Sequence, residues 1–433
     1  MTAQDIANLG GGFVPADIAG RKASGVSFHT GRLREGDAFF ALPGENTHGL
    51  EFAPAALDKG AAFIVSDRAH PQGVQVPDPK RTLLELGRSY RNRTGAVIGV
   101  TGSVGKTSSK TFIAAALNAQ KSLGNLNTPL ALAATLVNTR LAGHEDKALV
   151  LELGIDHVGE MAQLVELVQP DYGVLTAVAP SHLEGLGNLD TVAFEKSRLL
   201  VAASQQAFVS LQALPYLEAN ADIDMSALRT KGLTSYGLDQ NADVIGTLEN
   251  DTLNFETVNV SLSAPGEAMA SNALVALALA QTLKIDLNEA AERLSKAQLE
   301  PGRLQRLKLG ELTVLDDSYN SNPASAAEAL KILRTLDAPH TAVLGDMLEL
   351  GSESERYHYE LGLASHDIER VIAIGQEAKA IARANPKARY FADTDMALQA
   401  LKNLPRSGSI LFKASRGMHF ETLIEELSRT VAH

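Results

Sequence analysis

A glycine-rich segment between a predicted strand and a predicted helix carries the strongest chemical signal in the sequence. The apolar strand 96–100 precedes it and the helical run 110–117 follows it. Glycines let backbone N–H groups turn toward phosphate oxygens, Lys106 can reach the β and γ phosphates, and the Thr107 hydroxyl can bind Mg²⁺. The pattern G-x-x-x-x-G-K-[ST] is imperfect, because Val100 occupies its first position. We predict nucleotide binding by Thr101, Gly102, Ser103, Val104, Gly105, Lys106, Thr107 and Ser108; the plainer alternative is a glycine-rich turn with a stray lysine.

Two further side chains follow neighbouring strands and could complete this site. Glu152 lies at the end of the apolar run 148–153, and His182 follows the run 172–178. Parallel strands open onto one ligand-binding edge at their carboxyl ends, so both side chains can share one cluster of metal and phosphate. The alternatives are a Glu152 paired with a surface base and a His182 that is only a satisfied polar group. Because the chain has no cysteine, any metal must have oxygen or nitrogen ligands.

The elements that must position these residues alternate between short apolar strands and helical patterns, and they divide the chain into three predicted domains. Residues 1–92 are typical of a small α/β domain, and the polar, basic segment 88–93 marks its end. Residues 93–299 favour βαβ units around a parallel sheet, and residues 300–433 repeat that alternation after a Pro-Gly pair. The predicted strands are 38–42, 61–65, 96–100, 148–153, 172–178, 207–211, 312–315, 341–344, 371–374 and 410–412.

The composition sets the class of protein. At about 150 residues per domain, a chain of 433 residues fits about three domains. Hydrophobic residues make up 45% and charged residues 21%, which is typical of a globular protein. The net charge of −12 argues against binding nucleic acid by neutralising phosphates over a broad surface. The lack of cysteine is compatible with a reducing cytoplasm, and we predict neither a signal peptide nor a membrane helix.

Six segments occur in an order that is far more specific than any single motif. They are TGSVGKTS at 101–108, LELG at 151–154, SHLE at 181–184, PGRL at 301–304, DDSYNSNP at 316–323 and LGDMLELG at 344–351. Together they resemble the Mur ligases, ATP-dependent amide-forming enzymes of peptidoglycan synthesis. The last two segments are similar to those of the members that add D-alanyl-D-alanine to UDP-N-acetylmuramoyl-tripeptide.

The resemblance implies a fold and a reaction. The fold is α/β with three domains: a small N-terminal UDP-sugar domain, a central P-loop ATPase domain with a mainly parallel sheet, and a Rossmann-like C-terminal domain. The cofactors are ATP and Mg²⁺. The tripeptide carboxylate attacks the γ-phosphate to give an acyl phosphate, whose carbonyl the amine of D-alanyl-D-alanine then attacks. We further expect a monomeric, cytoplasmic protein with small-molecule substrates, no nucleic-acid partner and no membrane insertion.

The resemblance also assigns roles to individual residues. Catalytic positions are matched by Lys106, His182 and Lys196, and metal ligands by Thr107, Glu152, His182 and Lys196. The family carbamylates the lysine that Lys196 matches. ATP contacts are matched by the phosphate-binding segment and by Asn272, Arg303 and Asp317. Candidate substrate contacts are Thr30, Asn46, Thr47, Asn127, Thr128, Asn320, Asn322 and His358.

Three of these residues have plainer interpretations without the resemblance. Lys196 would be a solvated helix lysine, as most lysines are. Arg303 would form a salt bridge in a linker. Asp317 would cap a helix that begins near residues 320–323.

The sequence departs from the family at two places near the expected nucleotide. Ala268 and Met269 stand where the family has a His-Asn pair whose Asn contacts adenine, so discrimination between purines is expected to be loose. Arg198 stands two residues after Lys196 and brings a cation beside the expected carbamate.

Other functions account for part of the pattern. A P-loop kinase or plain NTPase explains Lys106, Thr107 and Glu152 but not Lys196. A folylpolyglutamate-type or another Mur-type amide ligase shares the ATPase core but not the DDSYN and GDM segments. A non-catalytic nucleotide-binding protein is the third alternative.

Overall fold

Three sheets, one within each predicted domain, organise the chain. The computed structural model describes residues 1–92, 95–124, 126–144, 146–401, 404 and 406–431. The sheets have four, seven and six strands, and a separate three-stranded antiparallel sheet lies in the middle region. The mixed α/β class with mainly parallel sheets is confirmed, whereas the small antiparallel sheet was not predicted. The predicted boundaries after residues 92 and 299 fall between sheets and stay predictions.

The N-terminal region has an all-parallel sheet of order β1-β2-β3-β4. Its strands are β1 Gly25–Ser27, β2 Asp37–Phe40, β3 Phe63–Ser66 and β4 Gly73–Gln75. Its helices are α1 Ala3–Gly10, α2 Ala53–Asp58 and α3 Pro79–Arg91, with a 3₁₀ turn at Gly49–Phe52. The basic segment predicted as a linker belongs largely to α3. Arg91 is buried there and pairs with Asp171 at 2.8 Å, because the end of α3 packs against the middle region.

The middle region is built on a parallel sheet of order β11-β10-β9-β8-β5-β7-β6. Its strands are β5 Val97–Thr101, β6 Gln120–Lys121, β7 Leu149–Glu152, β8 Tyr172–Leu175, β9 Gln206–Ser210, β10 Leu233–Gly237 and β11 Val244–Ile245. The antiparallel strands are β12 Thr247–Glu249, β13 Thr252–Phe255 and β14 Val258–Ser261. The helices are α4 Lys106–Ala116, α5 Pro129–Leu141, α6 Glu160–Val168, α7 Leu183–Leu186, α8 Leu189–Ala202, α9 Leu214–Ala219, α10 Met225–Thr230, α11 Glu267–Thr282 and α12 Leu287–Ser295.

The C-terminal region has a sheet of order β15-β16-β20-β17-β18-β19, in which only the β15–β16 pairing is antiparallel. Its strands are β15 Gln305–Leu309, β16 Glu311–Asp317, β17 His340–Gly345, β18 Arg370–Ile374, β19 Ala388–Phe391 and β20 Ser407–Lys413. Its helices are α13 Pro323–Arg334, α14 Ser354–Ala364, α15 Lys379–Ala384, α16 Thr394–Leu401 and α17 Glu421–Val431, with 3₁₀ turns at Gly351–Glu353 and Arg416–Met418. None of the helices in the described ranges combines the length and apolar character that a membrane crossing needs.

The middle sheet has an apolar core on each face. Along β7, Leu149 and Leu151 pack on the side that faces the N-terminal region, while Val150 packs on the side shared with α11 and the C-terminal region. Side chains alternate between the two faces of a strand, so a fully apolar strand contributes side chains to both cores. Most side chains of α11 are buried, so this helix belongs to the core.

The N-terminal and middle regions meet without a gap. The Asn138 side chain on α5 accepts a hydrogen bond from Val26 N at 2.7 Å and donates to Val26 O at 3.0 Å. On α3, Gly87 lies so close to α5 that an added Cβ would be 2.7 Å from the Cα and Cβ of Ala133. Only glycine permits this approach of the two helices.

We expect Gly87→Ala to destabilise the protein by about 1–3 kcal/mol, because the new methyl group overpacks the α3–α5 contact. The direction of this change in the free energy of unfolding is informative, because replacing glycine by alanine inside a helix otherwise stabilises the helix by about 1 kcal/mol. Gly20→Ala is the control, because nothing lies within 4 Å of an added Cβ there. Urea unfolding of both variants checks the prediction, and a Gly87→Ala protein as stable as the parent would contradict it.

Candidate active site

The phosphate-binding segment joins β5 to α4 and leaves no space for side chains at its two glycines. Gly102 and Gly105 have φ angles of 152° and 85°. A Cβ at Gly102 would lie 2.0 Å from Thr176 Oγ1, and a Cβ at Gly105 would lie 2.7 Å from Asn272 Oδ1. Close packing and backbone conformation therefore both require glycine here.

Residues that follow β8 hold this segment in place. Ser103 Oγ donates to Ala179 O at 2.8 Å, and Ser181 Oγ donates to Ser103 Oγ at 3.0 Å. Thr176 Oγ1 donates to Val104 O at 2.5 Å. The SHLE segment thus begins by supporting the phosphate loop.

Lys106 lies over the loop that precedes it. Its Nζ donates to Gly102 O at 2.6 Å, within the space that phosphate oxygens occupy in such loops. Surrounding protein lowers its pKa by desolvation, which the charge of Glu152 partly offsets and that of Arg303 reinforces. Bound phosphate would restore the favourable partner that this ammonium group lacks.

Glu152 ends β7 directly beside Thr107. Its Oε2 accepts a hydrogen bond from Thr107 Oγ1 at 2.8 Å and lies 3.1 Å from Lys110 Nζ. Burial alone would raise the pKa of Glu152, but the charges of Lys110 and Lys106 outweigh it and lower the pKa below its ordinary value. This carboxylate is therefore ionised, and the interpretation of Glu152 as half of a surface salt bridge is wrong.

Lys110 is the residue of this cluster that the sequence analysis missed. It follows Lys106 by four residues on α4, so both lie on the same helix face. That spacing was the signal that could have identified it.

His182 lies between two carboxylates from different regions. Its Nδ1 is 3.1 Å from Asp156 Oδ1 and 2.5 Å from Glu349 Oε2, which belongs to the C-terminal region. Burial lowers the pKa of His182, as does Lys106, while both carboxylates raise it. Lys106 follows β5, Glu152 ends β7 and His182 follows β8, so the three residues lie on the carboxyl side of the middle sheet.

Lys196 is completely buried on α8. Among the residues that the structure describes, its Nζ has no hydrogen-bond partner. Desolvation lowers its pKa well below the ordinary value, and the charge of Lys106 adds to that effect. The interpretation of Lys196 as a solvated lysine is therefore wrong, since this amine is buried and favours its neutral form.

Arg198 does not extend toward Lys196. Its Nε lies 3.2 Å from Glu195 Oε1, and its guanidinium group stacks on the Phe194 ring with 4.9 Å to the centroid. Arg198, the cation expected beside the carbamate, therefore contacts neighbours on its own helix.

Arg303 lies in the connection between α12 and β15, which joins the middle region to the C-terminal region. Its guanidinium group stacks on Tyr319 at 4.0 Å from the ring centroid, and Arg416 approaches the same ring at 5.5 Å. The Nε of Arg303 is buried without a hydrogen-bond partner among the described residues. Its charge acts on both Lys106 and Glu152, so the interpretation of Arg303 as half of an isolated linker salt bridge is not supported, and its contact with ATP phosphates stays a prediction.

Both carboxylate oxygens of Asp317 are engaged within the protein. Oδ1 accepts from Leu304 N at 3.1 Å, and Oδ2 lies 2.7 Å from Lys413 Nζ. This anchors the segment after Arg303, and an ATP contact by Asp317 stays a prediction. The plainer interpretation of Asp317 as a helix cap is wrong, because Asn322 forms that cap and its Oδ1 accepts from Ser325 N at 2.9 Å.

Three other predicted contacts have structural partners. Asn272 accepts from Ser109 Oγ at 2.9 Å and supports the phosphate loop through α11. His358 is buried; its Nε2 accepts from Met347 N at 2.8 Å, so its Nδ1 donates to Ser354 O at 2.7 Å. His358 thus shapes the segment that carries Glu349, and its ring nitrogens have no capacity left for substrate. Asn320 is exposed after β16, and its Oδ1 accepts from Ser321 N at 2.9 Å.

The remaining predicted substrate contacts lie on loops. Asn46 and Thr47 are exposed in the loop after β2, and Thr30 O accepts from Lys59 Nζ at 2.9 Å. Asn127 packs on Gly154, where an added Cβ would be 2.1 Å from Asn127 Nδ2. Thr128, at the start of α5, is exposed. Substrate binding by these residues stays a prediction.

The residues around Thr107 fit a nucleotide-bound Mg²⁺. Within the described residues, no group of three or more His, Cys, Asp or Glu side chains is arranged to hold a metal by itself. Mg²⁺ in nucleotide sites takes one or two protein oxygens together with phosphates and water. The adjacent Thr107 hydroxyl and Glu152 carboxylate supply two such oxygens.

Comparisons with known proteins agree with this geometry. Residues 100–280 match the Mur ligase middle domain, and residues 302–416 match the glutamate ligase domain of Mur ligases. The UDP-N-acetylmuramoyl-tripeptide–D-alanyl-D-alanine ligase of Escherichia coli K12 is 32% identical, over 97% of this chain and 96% of the relative. A crystal structure of MurF from Acinetobacter baumannii is 29% identical, with a TM-score of 0.86 over 99% of this chain and 98% of that one.

The MurF ligase of Thermotoga maritima, solved in complex with ADP, is 25% identical, with a TM-score of 0.81 over 95% of this chain and 98% of that one. Similarity of this extent covers all three sheets and the edge where Lys106, Glu152 and His182 meet. This chain belongs to the Mur ligase family.

Proposed function

We propose that this chain is an ATP-dependent ligase that joins D-alanyl-D-alanine to UDP-N-acetylmuramoyl-tripeptide in peptidoglycan precursor synthesis. The observation that carries the proposal is the contact of Glu152 with Thr107 at the carboxyl edge of the middle sheet, directly after the phosphate-binding loop, together with the complete burial of Lys196. Relatives of this name match nearly the whole chain.

The reaction converts a carboxylate, which is a poor acyl donor, into a reactive one. A tripeptide carboxylate oxygen forms a bond to the γ-phosphorus as the bond from that phosphorus to the ADP oxygen breaks. The amine of D-alanyl-D-alanine then forms a bond to the acyl carbon, phosphate leaves, and the nitrogen loses a proton. Both steps bring anions together, so positive charge fixed in advance lowers the barrier.

The chain's own residues supply that charge and orientation. The N–H groups of the phosphate-binding loop and Lys106 hold the phosphates, and Arg303, restrained by Tyr319, adds a second cation. Thr107 and Glu152 would hold Mg²⁺. When bound, this ion offsets negative charge on the phosphates.

Lys196 acts as a carbamate in this proposal. Carbamylation requires a neutral amine. A buried lysine with a lowered pKa and no hydrogen-bond partner in the described part of the chain meets that requirement. The lysine nitrogen forms a bond to the carbon of CO₂ and loses a proton, which turns a cation into an anionic oxygen ligand. An ammonium group at this position would repel a metal and leave a buried charge unpaired.

A P-loop kinase or plain NTPase is the second candidate, since Lys106, Thr107 and Glu152 suffice for it. It offers no use for the buried Lys196 or for the C-terminal residues that reach the site. Loose base discrimination, a monomeric state, a cytoplasmic location and UDP-sugar binding by residues 1–92 stay predictions.

Phosphate release from ATP separates these functions. We expect release to require UDP-N-acetylmuramoyl-tripeptide and to reach its full rate only with D-alanyl-D-alanine, with a pentapeptide product detected by mass spectrometry. Phosphate release at the same rate with and without either substrate would exclude the ligase function and favour the plain NTPase.

Replacing Lys106 should abolish turnover. Lys106→Ala removes the cation nearest the β and γ phosphates, and we expect kcat/KM for ATP to fall by about three powers of ten. Steady-state phosphate release measures this fall, and circular dichroism verifies folding. Lys80→Ala, on the exposed face of α3, is the control. A folded Lys106→Ala protein with near-normal activity would disprove the phosphate role.

Replacing Lys196 should separate turnover from nucleotide capture. We expect Lys196→Ala to lose turnover and to bind ADP as the parent does, because Lys106 and Thr107 remain. ¹³C NMR with labelled bicarbonate should give a carbamate signal in the parent that the variant lacks. Arg198→Lys keeps the charge beside Glu195 and should retain turnover. Undiminished turnover in Lys196→Ala would refute the carbamate role.

A further inference from the structure

Lys110 is a buried lysine that nothing in the proposed reaction has used. Its side chain has no exposed surface, and it lies one helical turn after Lys106. Its Nζ is 3.1 Å from Glu152 Oε2, donates to Gly124 O at 2.5 Å, and lies 4.0 Å from Glu300 Oε1. A single ammonium group therefore contacts a carboxylate, a backbone carbonyl and a more distant second carboxylate.

These partners belong to different parts of the site. Glu152 ends β7, and Gly124 lies in the connection from β6 to α5, in which Asn127 packs on Gly154. Glu300 lies just before the segment that carries Arg303 into the C-terminal region. Lys110 thus connects the phosphate-loop helix, the Mg²⁺ carboxylate, the β6–α5 connection and the link to the third sheet.

Stability alone does not account for this arrangement. Desolvating two charges costs about as much as their attraction returns, and apolar residues of similar volume often serve a core as well. Glu152 also has Thr107 as a hydrogen-bond donor. Lys110 contributes to geometry, because it holds Glu152 Oε2 and the Gly124 carbonyl oxygen at fixed positions relative to the phosphate loop.

We propose that Lys110 is a positioning residue for the ligase reaction, which orients Glu152 toward nucleotide-bound Mg²⁺ and holds the β6–α5 connection against the same site. The catalytic consequence of this role rests on the proposed function. Lys110 itself touches neither the phosphates nor the reacting carboxylate in this role, and its effect passes through Glu152 and Gly124.

The test uses the full chain with Lys110→Met, which keeps the length of the side chain and removes its charge. We expect the Mg²⁺ concentration that half-saturates MgADP binding to rise by about 10- to 100-fold, the range for residues that orient a metal ligand. ADP binding without Mg²⁺ should change by less than about threefold, because Lys106 remains. Hydrogen exchange should accelerate in the β6–α5 connection.

Lys121→Met is the matched control. Lys121 is half-buried nearby, and its Nζ donates to Thr111 Oγ1 at 3.1 Å rather than to Glu152. It should leave the Mg²⁺ dependence and the exchange pattern as in the parent. An unchanged Mg²⁺ dependence in Lys110→Met, unchanged exchange in the connection, or an equal effect in Lys121→Met would each overturn the proposal.

A second variant covers the case in which Lys110→Met folds but is too unstable for the binding assay, since an unpaired buried carboxylate is destabilising. Lys110→Met combined with Glu152→Gln removes both charges and should unfold at a higher temperature than Lys110→Met alone. A double variant that is no more stable than the single variant would show that the two side chains are not coupled, which overturns the proposal.

ADP binding, hydrogen exchange and thermal unfolding need no muramoyl substrate. The ligase function and the positioning role of Lys110 can therefore be refuted independently of each other. A parent protein that makes no pentapeptide would refute the ligase function and leave the binding and exchange results to decide on Lys110. In an active parent, Lys110→Met should raise the KM for UDP-N-acetylmuramoyl-tripeptide as well, and an unchanged KM would contradict the placement of the connection by Lys110.

Discussion

The register of β5 between β7 and β8 determines where the chemistry of this chain takes place. Val100 pairs with Glu152, and Thr101 pairs with Leu175, so the three strands end at the same level. The Thr101 hydroxyl strengthens this alignment by donating to Leu153 O at 2.8 Å. A shift of one residue would turn Glu152 to the opposite face of the sheet, away from Thr107. The contacts of Glu152 with Thr107 and Lys110 depend on this alignment.

The C-terminal region completes the site through a few contacts. The charge of Arg303, in the connecting segment, acts on Lys106 and Glu152, and Glu349 contacts His182 from the segment after β17. His182 and Glu349 both have left-handed backbone conformations, with φ angles of 52° and 65°. Such conformations are uncommon outside glycine and persist where the surrounding structure enforces them. The contact between regions is thus made by two residues held in unusual geometry.

Local sequence patterns were sufficient for the strands and the phosphate loop, but not for the environment of the lysines. Apolar runs and turn residues predicted β5, β7 and β8 to within a few residues, because such signals act over short stretches of chain. The burial of Lys196 and Lys110 has no such signal, because it depends on which face of α8 or α4 docks against the sheet. For Lys110, the four-residue spacing from Lys106 indicates a shared helix face but not its burial. The alternative interpretation of Asp317 as a helix cap fails for a related reason, because β16 extends to Asp317 and its partner Lys413 comes from a strand distant in sequence.

The double hydrogen bond between Asn138 and Val26 has a consequence for solubility. β1 is an edge strand, and the N–H and C=O of its central residue would otherwise be available to an incoming strand. The Asn138 amide occupies both groups and copies the pairing of a neighbouring strand. An unprotected edge is a template for self-association between copies of a protein. One side chain from the next region therefore blocks intermolecular strand addition at this edge.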